Sequence, residues 1–186
     1  MPFKQGHALV IGVGTHKYHP GLDVPITEAD AEAIVNVLGD TNACGYPPEQ
    51  VKALHQADAT KSSILAALDD LAASVGAEDT VFLFYCGHGA LGTDGNYYLV
   101  SHDARLEGGR VAAGTGVSES ELLQKLRSIK AKRMLMVFNA CHSASILPAL
   151  EVTPETLASS NPDEDMAVAL LGTGHGGIFI AACREQ

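Results

Sequence analysis

The chain has few cations, no long apolar run and no low-complexity spacer, and each lack removes a class of protein. Only 12 Lys and Arg stand against 22 Asp and Glu, giving a formal charge of −10, and those cations are scattered. Phosphate backbones are bound by clustered Lys and Arg, so a nucleic-acid surface is excluded. The longest early apolar stretch, Ala8 to Val13, is interrupted by Gly12 and far too short for a membrane span or signal peptide. No membrane partner is expected, and a cytoplasmic location follows as the default. No Pro/Gly/Ser-rich linker divides the 186 residues, of which 46% are hydrophobic, so the reading is one domain over 1–186 with one substantial core. The four cysteines, Cys44, Cys86, Cys141 and Cys183, lack zinc-finger spacing. Without an export signal they read as free thiols rather than disulfides.

What is present is an alternation of strand and helix signals. His7 to Val13 is a continuous apolar run, as in a strand buried on both faces. Thr27-Glu28-Ala29-Asp30 then opens a helix with Ala33, Ile34, Val37 and Leu38 on one side, stopping near Gly39. Val51 to Leu54 reads as a short strand. A second helix starts at Thr60, with Ile64, Leu68, Leu71 and Val75 at helical spacing. Thr80 to Cys86 and Arg133 to Phe138 read as strands, Gly177 to Ala182 as another, and Tyr97 to Val100 as a small extra one. Ser118-Glu119-Ser120-Glu121 is a capping box for a third helix, with Leu122, Leu126 and Ile129 inward. Repeated strand–helix–strand units with fully apolar strands imply an α/β fold of three layers, a mainly parallel central sheet flanked by helices.

Two short segments sit where apolar runs stop: Tyr85-Cys86-Gly87-His88-Gly89 and Phe138-Asn139-Ala140-Cys141-His142-Ser143. In such sheets the functional groups gather at the carboxyl ends of the strands. His88 and Cys141 fall there, a layout suited to a thiol nucleophile and its base. A thiol of pKa ~8.5 is only a few per cent thiolate at neutral pH unless an imidazole assists it. The glycines beside His88 admit a peptide backbone, and the N–H groups of Gly89 and Cys141 are candidate donors to a developing oxyanion. Other readings stand beside this one. His88 alone could bond backbone at a strand end, Cys141 could be small buried packing, and Asp30 with Thr27 could be a helix cap. Cys86, His88, Cys141 and His142 could offer zinc ligands, though consecutive Cys and His aim poorly at one metal. Gly12-Val13-Gly14 is a weak dinucleotide signal, because Lys17 occupies the third glycine position. His16, His102 and His142 read as loop or surface histidines.

At these residues the sequence resembles the caspase-like cysteine peptidases, especially the metacaspase and bacterial caspase-like branch, whose usual motifs run Ser-Gly-His-Gly and Asp-Ala/Cys-Cys-His-Ser-Gly. Ala8 to Gly12, Ala29-Asp30-Ala31, Tyr97 to Val100 with Asp103, and Ala182 to Glu185 fit the same pattern. The resemblance implies a cysteine endopeptidase acting on a protein or peptide substrate, with His88 as general acid/base and Cys141 as nucleophile. It also implies a pocket for the residue before the scissile bond (P1), lined here by Asp30, Cys86 and Asn139. One carboxylate remains where the family has two, so a basic P1 residue, Arg or Lys, is expected from Asp30 alone. The Arg that caspases proper use to cut after Asp has no counterpart at Thr15 to His19.

Relatives of this kind continue past the strand at Ala182, so a missing C-terminal segment, a second processed chain or a paired chain is expected against an apolar sheet edge. The polar segment 148–165 reads as a mobile flap or activation loop, and a regulatory partner or signal is expected to order it. No cofactor is needed for the dyad. The resemblance adds Ca²⁺ as a candidate ion near Asp163-Glu164-Asp165, without EF-hand spacing. The alternative from a different class is a non-catalytic caspase-fold interaction module.

Overall fold

The computed structural model describes residues 2–140 and 176–182. Its elements, in chain order, are β1 (Gly6–Gly12), α1 (Ile26–Gly39), β2 (Val51–His55), α2 (Lys61–Ser74), β3 (Thr80–Gly87), β4 (Gly89–Leu91), β5 (Tyr97–Leu99), β6 (Leu106–Glu107), β7 (Arg110–Val111), β8 (Val117–Ser118), α3 (Glu119–Ser128), β9 (Arg133–Ala140) and β10 (Gly176–Ala182). Five strands form the central sheet in the order β10-β9-β3-β1-β2, every neighbouring pair parallel. The mainly parallel α/β architecture expected from the sequence is the one observed.

The layers follow from alternation along the strands. In β1, Ala8 and Val10 join Ala31 and Leu38 of α1 together with Phe84 and Cys86 of β3. The intervening Leu9 and Ile11 join Ile64, Leu68 and Leu71 of α2, Leu122 and Leu126 of α3, and Tyr85 and Phe138. A strand with helices on both faces must be apolar at every position, which is why it reads as an unbroken hydrophobic run. Leu9, Val10 and Leu68 are fully buried; each such side chain contributes about 1.5–3 kcal/mol relative to exposure.

Helix starts are set by local chemistry, with one departure from expectation. Ser118 Oγ accepts from the N–H of Glu121, and Glu121 Oε2 accepts from Ser118 N at 2.9 Å, completing the capping box. Thr60 caps α2 through Ser63 N. In α1, however, the capping position is Pro25, without a side-chain cap, and Thr27 Oγ1 donates back to the Val24 carbonyl at 2.9 Å. Asp30 therefore lies beyond the first turn and caps nothing. The buried face of α1 also differs: Ala31 and Leu38 are buried with Ile34 and Val35 half-buried, whereas Ala33 is exposed and Val37 is 52% exposed. Residues 31, 34, 35 and 38 form a true i, i+3, i+4, i+7 stripe, from which 33 and 37 are rotated away.

Beyond β3 the chain builds two small sheets that the sequence only partly signalled. β4, β5 and β8 pair antiparallel, and β6 pairs with β7. Of these only β5 was legible, because two- and three-residue strands carry no measurable period.

Candidate active site

The order β2-β1-β3-β9 makes the chain leave β1 toward one side of the sheet and β3 toward the other. Between β1 and β3 the connections diverge at the carboxyl ends, the usual place for a functional site in such sheets. His88 stands at that point, directly after β3.

Its position is over-determined by backbone contacts. The His88 carbonyl accepts from Val100 N at 2.9 Å and from the Tyr85 hydroxyl at 2.8 Å. Tyr85 is itself buried and stacked on Phe138 at 6.0 Å. The imidazole is fixed by the loop that follows β1. There a 3₁₀ turn, Pro20–Leu22, presents the Leu22 carbonyl 2.8 Å from His88 Nε2. A carbonyl can only accept, so Nε2 carries the proton and Nδ1 bears the lone pair of the neutral ring. That loop is closed by Val24 N donating to Gly14 O and by His16 N donating to Asp23 Oδ1, both at 2.8 Å.

His16 lies in a loop, as the sequence suggested, but it is not at the surface. It is 3% exposed, and its ring centroid lies 5.4 Å from that of His88. Burial holds its pKa below the ordinary imidazole value, the nearby His88 adds to this, and Asp23 opposes it. Nothing in the sequence marks this side chain as buried, because the loop around it is polar and Gly/Pro-rich. His102 is half-buried, and its Nδ1 donates to the Thr15 carbonyl at 2.9 Å.

Three candidate pocket residues meet on the α1 side of the sheet. Gly12, Cys86 and Asn139 are register partners across β1, β3 and β9. A Cβ at Gly12 would come within 2.7 Å of Ala31 Cβ and 2.8 Å of Thr27 O, so glycine there lets α1 settle onto the sheet. That approach brings Asp30 over Cys86, with Sγ 3.9 Å from Asp30 Oδ2, and Asn139 Nδ2 donates to the same sulfur at 3.5 Å. Burial, the Asp30 charge and the S–H bond to Asp30 push the Cys86 thiol up to about 11, with Asn139 acting in the opposite sense. At neutral pH the pocket is therefore a neutral thiol between an exposed carboxylate and an exposed amide.

Gly89 is buried at the start of β4, opposite Leu99. Cys141, His142 and the segment 148–165 with its acidic run lie outside the described residues. The strand leading to Cys141 is placed: Ala140 pairs with Gly87, so residues 88 and 141 each follow the last register pair of β3 and β9. Parallel neighbours run ~4.8 Å apart. Among the described residues no group of three or more His, Cys, Asp or Glu side chains could hold a metal ion, and no helix is long and apolar enough to cross a membrane.

Fold and site together define a three-layer α/β domain whose functional groups collect at the carboxyl ends of parallel strands. The sequence model described as the caspase domain matches residues 5–185, and the chain belongs to the caspase family, a family of cysteine peptidases. Among solved structures it is similar to protein GSU0716 from Geobacter sulfurreducens, with a TM-score of 0.56 and 22% identity, over 82% of this chain and 59% of that one. At that identity the likeness concerns the fold. No curated protein matches the chain.

Proposed function

We propose that the protein is a cysteine endopeptidase in which Cys141 attacks the peptide carbonyl and His88 manages the protons. The observation that carries this reading is the His88 ring, its Nε2 proton committed to the Leu22 carbonyl, at the end of the strand paired with the one that leads into Cys141. His88 Nδ1 takes the thiol proton as Sγ bonds to the carbonyl carbon. The oxyanion so formed is met by backbone N–H groups, with Gly89 and Cys141 as the candidates. When the C–N bond breaks, Nδ1–H protonates the departing amine, leaving a thioacyl-enzyme. Water, deprotonated by the same nitrogen, then bonds to the thioacyl carbon, the C–S bond breaks to free the new carboxyl terminus, and Nδ1–H returns its proton to Sγ.

P1 is basic in this reading. Asp30 is an exposed carboxylate at a pocket otherwise lined by a neutral thiol and an amide, and a Lys or Arg side chain would meet it as a charge-assisted pair. A partner or further chain segment as part of the working enzyme is supported by β10, the end strand of the sheet, on one face of which Ile178 and Ile180 are 60% and 50% exposed. The test is cleavage of a positional peptide library, with and without Ca²⁺, beside a Cys141→Ala control. Cleavage after Arg or Lys that vanishes in the control is the expected result. An unaltered cleavage pattern in the control, or none in either protein, overturns the reading in favour of a binding module.

A further inference from the structure

His16 has no part in the chemistry just described, yet it is the most enclosed polar side chain beside His88. Neither of its ring nitrogens has a hydrogen-bond partner among the described residues. Asp23 Oδ1, which accepts from the His16 backbone, lies 3.5 Å from Nδ1, too far for a good hydrogen bond. The rings of His16 and His88 meet at 47° with centroids 5.4 Å apart, near enough for a charge on one to act on the other. Leu22, whose carbonyl holds His88 Nε2, belongs to the same loop as His16 and precedes Asp23. One loop thus meets the His88 ring twice, by a carbonyl and by a second imidazole.

We propose that His16 is a positioning residue for His88: its buried ring seats the His88 imidazole and keeps the two histidines from being cationic together. The proposal rests on the reading of His88 as the acid/base group. Its physical basis is that a second proton would put two cations in contact, one of them shut off from water. The charged and titratable groups facing His16 are His88, Asp23 and His102. Asp23 favours a cation on His16, while burial and both histidines oppose it, and burial is the largest influence. In the working range His16 therefore stays neutral, so the imidazolium formed when His88 takes the thiol proton meets no second cation beside it. His16 takes up a proton only at lower pH, and that event unseats His88.

Two variants separate seat from charge. His16→Phe keeps a ring that cannot be protonated, and His16→Asn keeps polarity without the ring. For hydrolysis, His16→Asn is expected to lower kcat by about ten- to a hundredfold with KM little changed, the scale for a misplaced catalytic group. His16→Phe should retain kcat within a few-fold and lose the more acidic of the two ionisations in the pH–kcat profile. The second readout needs no turnover: NMR titration of the histidine ring signals in the Cys141→Ala protein. There the His88 signals should move in two steps, the second and more acidic one marking the proton taken up by His16. Each His16 variant should lack that second step. If His88 signals show one step with His16 present, or both steps survive in His16→Asn, the proposal is wrong even if the peptidase reading stands. If the two-step titration is seen but no peptide is cleaved, the coupling holds and the peptidase reading fails.

Discussion

The two sides of the β3 end are built differently. On the α1 side, Cys86, Asn139 and Asp30 meet through side chains, two of them opposed across neighbouring strands. On the loop side, His88 is held mainly by backbone: the Leu22 carbonyl on its ring, Val100 N and the Tyr85 hydroxyl on its own carbonyl. The pocket contacts belong to side chains that single substitutions replace, whereas most of those on His88 come from backbone atoms, with the Tyr85 hydroxyl and the His16 ring beside them. In the function proposed above, specificity belongs to the first region and chemistry to the second.

The sharpest way to break that division is His88→Ala. Removing a positioned acid/base group costs about 10²–10⁴ in rate, so kcat/KM should fall by that factor for every peptide alike, with P1 preference unchanged in any residual activity. A selective loss, confined to basic P1 residues, would place His88 in the pocket instead.

Next is the thiol itself. With its pKa at about 11 against an ordinary 9.0, Cys86 carries about a hundredfold less thiolate at pH 8 than an unperturbed thiol. Site-resolved alkylation followed by mass spectrometry should label the exposed Cys44 well before Cys86, and Cys86 labelling should climb toward pH 11. The sign carries over to stability. A raised folded-state value means the contribution of Cys86 is fully present below pH 9 and is lost as pH rises through about 11.

A smaller effect is expected at the pocket rim. Asp30→Asn should lower kcat/KM for Arg and Lys peptides by about ten- to a hundredfold, the scale of a hydrogen bond to a charged group, while a neutral P1 changes little. Equal losses for all substrates would mean that Asp30 acts on the fold. Asn139→Asp restores a second carboxylate, and a few-fold gain for Arg over Lys is expected from bidentate pairing. The smallest effect lies in the pH dependence of stability. Because the His16 value is lowered on folding, its share of stability is full above pH 6.5 and declines as pH falls through the lowered value. Denaturant midpoints at pH 5 and 7.5 should therefore differ less in His16→Asn than in the wild type.

Much of the site was legible because its residues belong to strands. Apolar runs on interior strands mark β1, β3 and β9, and the residues ending those runs, Cys86, His88, Asn139 and Cys141, are fixed by position in the chain. The α1 face was misjudged by one helical step, since Ala33 and Val37 are as apolar as Ala31 and Val35 and only packing separates them. Whether Asp30 caps a helix or faces a pocket could not be read locally either. Pro25 takes the cap position, and Gly12 lets the helix down onto Cys86, a contact that only the tertiary structure makes.

By itself the sequence determined the parallel α/β fold, the family and the two residues proposed for the chemistry, because these depend on hydrophobic period and on short motifs at strand ends. Only the tertiary structure decided how His88 is held. A carbonyl at Leu22 has no signature in residue type, and a histidine in a polar loop looks solvated until the chain folds back to bring Leu22 to His88, 66 positions apart, and to bury His16 beside them.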